Sequence, residues 1–147
     1  MVVIVEAEED DIPQIAKLMK KEFRKPPFNA KCSLSQINNF LDYYYKNGSI
    51  FVAKLEKEVV GIMVFKIEQY WEGPALILEE LAVKEKYRKL GIGKQLLTTL
   101  EEYAKNNKLF SISLRTNKVS SAVKFYKKCG YEPKDSILYI EKKLAYS

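Results

Sequence analysis

The chain has 147 residues, 47% of them hydrophobic, and a net charge of +6 at neutral pH. That length suits one domain over 1–147, and the apolar share excludes global disorder. Its lysines are interspersed with glutamates instead of gathered into a block, so no nucleic-acid partner is expected. The absence of histidine excludes a histidine-based triad and, with only two cysteines, argues against a metal site. Cys32 and Cys129 lie far apart and read as reduced thiols of a cytoplasmic protein. The N-terminal "MVVIVEAEEDD" turns acidic too soon for a signal peptide, and the longest apolar run, "VVGIMVF", is far too short to cross a bilayer.

The first element is a short β-rich run, Val2 to Ala7. "DIPQIAKLMKKEF" follows with Ile12, Ile15, Ala16, Met19 and Phe23 at helical spacing, Asp11 as N-cap and Pro13 in the first turn. Pro26 and Pro27 end that helix in a loop, "RKPPFNAKCS". Ser33 or Ser35 can cap a second helix that places Leu34, Ile37, Leu41 and Tyr44 on one face, and "KNGS" closes it.

Strands are predicted over 50–56 and 59–70, joined through Lys57 and Glu58 as an antiparallel hairpin, although Lys-Glu is not a favoured turn pair. "ALILEELAV", residues 75–83, reads as a central strand interrupted by Glu79 and Glu80. A loop then opens a third helix carrying Ile92, Leu96 and Leu100. A fifth strand is predicted over 109–116, a short helix ends at Gly130, and a final strand covers 137–144. The order β-α-α-β-β-β-α-β-α-β implies one α/β domain with a mixed, mostly antiparallel sheet flanked by helices.

The loop "EKYRKLGIGKQLL" has the grammar of an anion-binding turn. A dinucleotide fingerprint needs a third glycine where Leu96 stands, and a Walker A loop needs a hydroxyl where Gln95 stands. What is left is Arg88, Gly91 and Gly93 between a strand and a helix. Glycines permit positive φ and close approach, the amides from Arg88 to Lys94 point at an anion, and Arg88, Lys89 and Lys94 add charge. That suits a pyrophosphate held without metal.

"LEELAVKEKYRKLGIGKQLL" resembles the central motif of the GCN5-related N-acetyltransferases. "AVKFYKKCGYE", with Ala122, Phe125, Tyr126, Gly130 and Tyr131, is similar to their second block, A-x-x-F-Y-x-x-x-G-F/Y. The resemblance extends over the whole chain, because the element order matches that family's fold. It implies acetyl-CoA as co-substrate, bound by the backbone of Leu81, Ala82 and Val83 along the pantetheine arm and by Arg88, Lys89, Leu90, Gly91, Ile92, Gly93 and Lys94 at the pyrophosphate. For the arm to enter, the strand over 75–83 would splay from the strand over 109–116.

The chemistry implied is direct attack of a neutral amine on the thioester, which needs a base, a polarised carbonyl and a proton donor for the thiolate. Tyr126 matches the family's tyrosine beside the coenzyme sulfur and is the expected acid. Glu79 and Glu80 are the candidate bases. Strict strand alternation puts them on opposite faces. A further likeness of "W-x-G…L-E-E" to the diamine acetyltransferase branch points to Glu79, acting directly or through water. Where the family often carries an asparagine contacting the coenzyme, this chain has Val119. Asn117 is the nearest candidate, with capping of the following helix as its simpler role.

Phe28, Tyr70 and Trp71, with Glu68, Glu72 and Glu79, offer an aromatic, acidic surface for a small cationic amine. A peptide N-terminus or a lysine is the rival acceptor, and a non-catalytic acyl-CoA-binding regulatory domain would carry the same motifs. No membrane partner is expected, and self-association as a homodimer is left open.

Overall fold

The computed structural model describes residues 1–145. Five strands form one sheet in the order β1-β2-β3-β4-β5, that is, in chain order. Strands β1 (Val2–Glu6), β2 (Ser49–Leu55), β3 (Glu58–Tyr70) and β4 (Gly73–Val83) pair antiparallel in succession, and β5 (Ile112–Leu114) joins β4 in parallel. Helices α1 (Ile12–Phe23) and α2 (Leu34–Asn47) precede the long hairpin. Helix α3 (Ile92–Asn106) connects β4 to β5, and α4 (Ala122–Lys128) follows. This is the expected mixed, mostly antiparallel α/β architecture. No helix among the described residues is long and apolar enough to cross a membrane.

Local chemistry explains most boundaries. Ser33 caps α2: its hydroxyl accepts from the Gln36 amide at 3.1 Å while the Gln36 side chain accepts from the Ser33 amide at 2.8 Å. Ser33, not Ser35, is therefore the cap. Asp11 does not cap α1. A 3-10 turn over Glu9–Asp11 precedes the helix, and the Asp11 carboxylate accepts from the Glu8 amide at 2.8 Å and pairs with Lys54 at 2.8 Å. The hairpin turns one residue earlier than expected, on Glu56 and Lys57, with Glu56 at φ 58°.

Two expectations are corrected at the C-terminal side. Strand β5 has three residues instead of the eight expected over 109–116. The segment 137–144 forms no strand: Ile137, Leu138 and Ile140 are exposed, and its link to the sheet region is Arg115 stacked 4.7 Å from the Tyr139 ring. Consecutive apolar residues there give no period-two face to bury, and a three-residue edge offers few backbone partners to template another strand.

The sheet separates two apolar clusters. On one face α1 and α2 pack Ile15, Leu18, Ile37, Leu41 and Tyr44 against Val52, Ile62, Val64 and Ala82. On the other, α3 packs Leu96, Leu97 and Leu100 against Met63, Phe65, Leu76, Leu78 and Val83. Phe65 is fully buried between Phe51 and Tyr103, whose rings lie 5.6 and 4.9 Å away. Phe65→Ala should lower unfolding free energy by about 3–5 kcal/mol, read as a shifted denaturation midpoint at constant slope.

Candidate active site

The site is organised by an irregularity in β4. In the β3–β4 ladder Val64 faces Glu80 and Phe65 faces Leu78, so Glu79 is an extra residue, a β-bulge. The alternation changes phase there. Leu76 and Leu78 lie on the α3 face, and so do Leu81 and Val83, while Ala82 joins the α1–α2 face. Glu80 pairs with Val64 of that second face, and Glu79 accepts a hydrogen bond at 3.0 Å from Tyr44 of α2. Both carboxylates are thus turned to the α1–α2 side. The expectation that they occupy opposite faces is wrong, because it assumed unbroken pleating.

The two acids have different surroundings. Glu79 has the Tyr44 hydroxyl and, at 4.0 Å, the Lys66 ammonium, which also pairs with Glu68 at 3.1 Å. The Tyr44 phenol is raised by burial and by that bond to Glu79. Glu80 lies partly buried, and burial first, then the neighbouring Glu79 charge, push its carboxyl up to about 7. Tyr126, on α4, is pushed up to about 12 by burial and next by the charge of Glu80. Glu80 and Tyr126 are therefore close enough to feel each other electrostatically.

Glu80 stands where β4 loses a partner. Strand β5 pairs with β4 only at Leu76, Ile77 and Leu78, so from Glu79 to Val83 that edge of β4 has no neighbouring strand among the described residues. This is the opening the sequence reading anticipated. Leu81, Ala82 and Val83 line the free edge, with the Val83 carbonyl already accepting from Arg88 Nε at 3.1 Å.

The turn into α3 is built as an amide cradle. Gly91 adopts φ 82° at the helix N-cap, a conformation costly for a side-chain-bearing residue, and Lys89 is also left-handed at φ 64°. The Gln95 amide returns to the Gly91 carbonyl at 3.0 Å, whereas the amides from Lys89 to Lys94 find no backbone acceptor among the described residues. Gly93 has a different reason: a Cβ there would stand 3.0 Å from the Phe125 ring. Ile92 is buried in the core, and Leu90, Lys89 and Lys94 are exposed.

Other predicted residues are not gathered here. The Asn117 side chain accepts from the Val119 amide at 3.0 Å and shapes the turn before α4 without capping that helix, whose N-cap position is Ser121. Phe28 packs edge-on to Phe23 at 5.9 Å, Tyr70 is half-exposed, and Trp71 projects fully into solvent at the β3–β4 tip. Two grooves of about 480 and 470 Å³ run along α1 and include neither Glu79, Glu80 nor Tyr126. Sequence reasoning missed Tyr44 and Lys66. Lys66 carried a signal, as the one charge following seven apolar or glycine residues in β3.

A profile of the Acetyltransferase (GNAT) family matches residues 12–131. Streptothricin acetyltransferase A of Bacillus subtilis (strain 168) is 40% identical over 79 residues, 53% of this chain and 44% of that protein. This chain thus matches less than half the length of that relative. An uncharacterised N-acetyltransferase of Methanocaldococcus jannaschii is 32% identical over 136 residues, 84% of this chain and 83% of that one. Among solved structures, the aminoglycoside N-acetyltransferase AAC(6')-Iy in complex with CoA superposes with a TM-score of 0.82 at 15% identity, covering 98% of this chain and 96% of the other. The chain belongs to the GNAT family of acetyl-CoA-dependent N-acetyltransferases.

Proposed function

We propose that this protein transfers an acetyl group from acetyl-CoA to a primary amine of a small cationic acceptor, by direct attack in a ternary complex. The observation that carries the reading is Glu80, partly buried and raised to about 7 where the β4 edge comes free, with its charge felt by Tyr126. A carboxylate poised near neutrality is matched to removing a proton from an ammonium at working pH. Glu79, to which the family likeness points, is engaged by Tyr44 and Lys66 and acts on Glu80 through its charge.

In this scheme Glu80, directly or through a water, takes one proton from the acceptor ammonium. The freed nitrogen attacks the thioester carbon, the C–N bond forms and the C–S bond breaks. The second nitrogen-bound proton ends on the coenzyme sulfur. Tyr126 keeps its proton over the whole working range and donates a hydrogen bond to the departing thiolate. Outright transfer from a phenol near 12 to a thiolate whose acid has a pKa of about 8.5 runs uphill, so stabilisation by the bond is its main contribution. The amides from Lys89 to Lys94 receive the pyrophosphate, and the free edge at Leu81 to Val83 receives the pantetheine arm as an added strand.

A cationic acceptor is supported by charge. Glu68, Glu79 and Glu80 share the α1–α2 side of the sheet with Lys66, which pairs with Glu68 and Glu79, so carboxylates outnumber cations there. A relative named for streptothricin and a neighbour named for aminoglycosides fit the same reading.

Coenzyme release measured against polyamines, amino acids, peptides, streptothricin and aminoglycosides tests this directly. Turnover is expected on the multiply charged amines. Tight acetyl-CoA binding without turnover on any acceptor would instead identify a binding module. kcat/KM should rise with pH through about 7 as Glu80 loses its proton. Glu79→Gln removes a charge that raises Glu80 and should move that limb to lower pH. Glu80→Gln should abolish the limb and lower the rate by about 10²–10⁴-fold; a limb still near neutrality in that variant sinks the assignment. Tyr126→Phe should lower kcat by about 10²–10³-fold, as loss of a single anion-stabilising donor does elsewhere.

A further inference from the structure

Arg88 heads the cradle, and its half-exposed guanidinium is bonded inward. Nη2 donates to Glu22 of α1 and Nε donates to the Val83 carbonyl at 3.1 Å. The Glu22 side chain is 3% exposed, which makes it one of the few buried charges of the fold. Its second cation is Lys25, at 3.3 Å, which reaches on to Glu85 at 3.0 Å. The Glu85 bond raises the Lys25 pKa and lowers that of Glu85. The end of α1 is thereby tied to the last residue of β4 through Arg88, and to both Glu85 and Arg88 of the turn. A buried carboxylate without a partner is strongly unfavourable, so Glu22 demands Arg88.

We propose that Glu22 is a positioning residue for the coenzyme seat. It holds Arg88 inward, and Arg88 fixes the backbone immediately before the amides from Lys89 to Lys94. Arg88 then contributes to coenzyme binding through the shape of the turn, not by touching phosphate. The proposal rests on reading that turn as the pyrophosphate seat, and it gives the Arg88 side chain a different role from the added charge expected there.

The test compares acetyl-CoA with S-acetylpantetheine, which lacks the pyrophosphate and nucleotide, in the acceptor assay, with calorimetric CoA binding and thermal melting alongside. Glu22→Gln should raise KM and Kd for the full coenzyme by about tenfold, leave kcat within about twofold, and leave the short donor's kcat/KM unchanged. Arg88→Lys keeps Glu22 compensated but loses the planar fork to Val83, and should show the same selective loss. The double variant should be no worse than the poorer single, because both remove one device. Tighter CoA binding by Glu22→Gln would overturn the proposal, since it would mean that freed Arg88 seeks phosphate. Preserved affinity in Arg88→Lys, or equal loss on both donors with a lowered melting point, would overturn it too. If the unaltered chain binds no CoA, the seat itself is refuted, a result distinct from all of these.

Discussion

One extra residue in β4 governs the site. Sheets bury one set of side chains on each face only while the pleat alternates, and Glu79 breaks that alternation in the middle of the longest ladder. The consequence is that Leu76 and Leu78 before it, and Leu81 and Val83 after it, all serve the α3 core. The two acids between them are released to the other side. Without the bulge, one carboxylate would sit opposite α3 among leucines with no cation in reach. The same point ends the β4–β5 ladder, so the irregularity and the opening coincide in sequence.

The bulge also separates the chemistry of two adjacent, identical side chains. Glu79 reaches the Tyr44 hydroxyl and the Lys66 ammonium. Glu80 has neither; burial and its neighbour's charge both oppose ionisation. Of the two, Glu80 is the one whose carboxyl is pushed up, to about 7, and so the one suited to exchange protons near neutrality. The surroundings of Glu79 depend on α2, because Tyr44 comes from a helix formed more than thirty residues earlier and capped through Ser33 and Gln36.

Sequence patterning recovered the helices, the hairpin and the two motifs, since each rests on local periodicity, caps or glycine chemistry. It failed where the determinant is not local. A bulge leaves no mark in "ALILEELAV", and alternation drawn through it assigned the wrong faces to Glu79 and Glu80. Arg88 looked like free charge in an exposed loop because its partner lies 66 residues away. Glu22 was visible in principle: it continues the stripe of Ile15, Leu18 and Met19, a buried helix face where a carboxylate requires a cation. The apolar run at 137–144 carried strand propensity without an alternating face, and propensity alone did not make it a strand.

The pairing of the two motifs has a packing cause. Gly93 is side-chain-free where Phe125 presses its ring against α3, so the glycine of one block is the counterpart of the phenylalanine of the other. Tyr126 stands beside that ring, with centroids 5.2 Å apart, and against Tyr131 at 5.9 Å. The Tyr131 hydroxyl then donates to Glu101 on α3 at 2.9 Å, while Gly130 at φ 91° turns the chain between them. Helix α4 has only seven residues, too few to hold its own orientation, so these contacts with α3 fix the place of Tyr126. The amide cradle before α3 and the Tyr126 phenol are thus fixed to the same helix. A shift of α3 would move both together and preserve the distance between them, which a reaction proposed to use both requires.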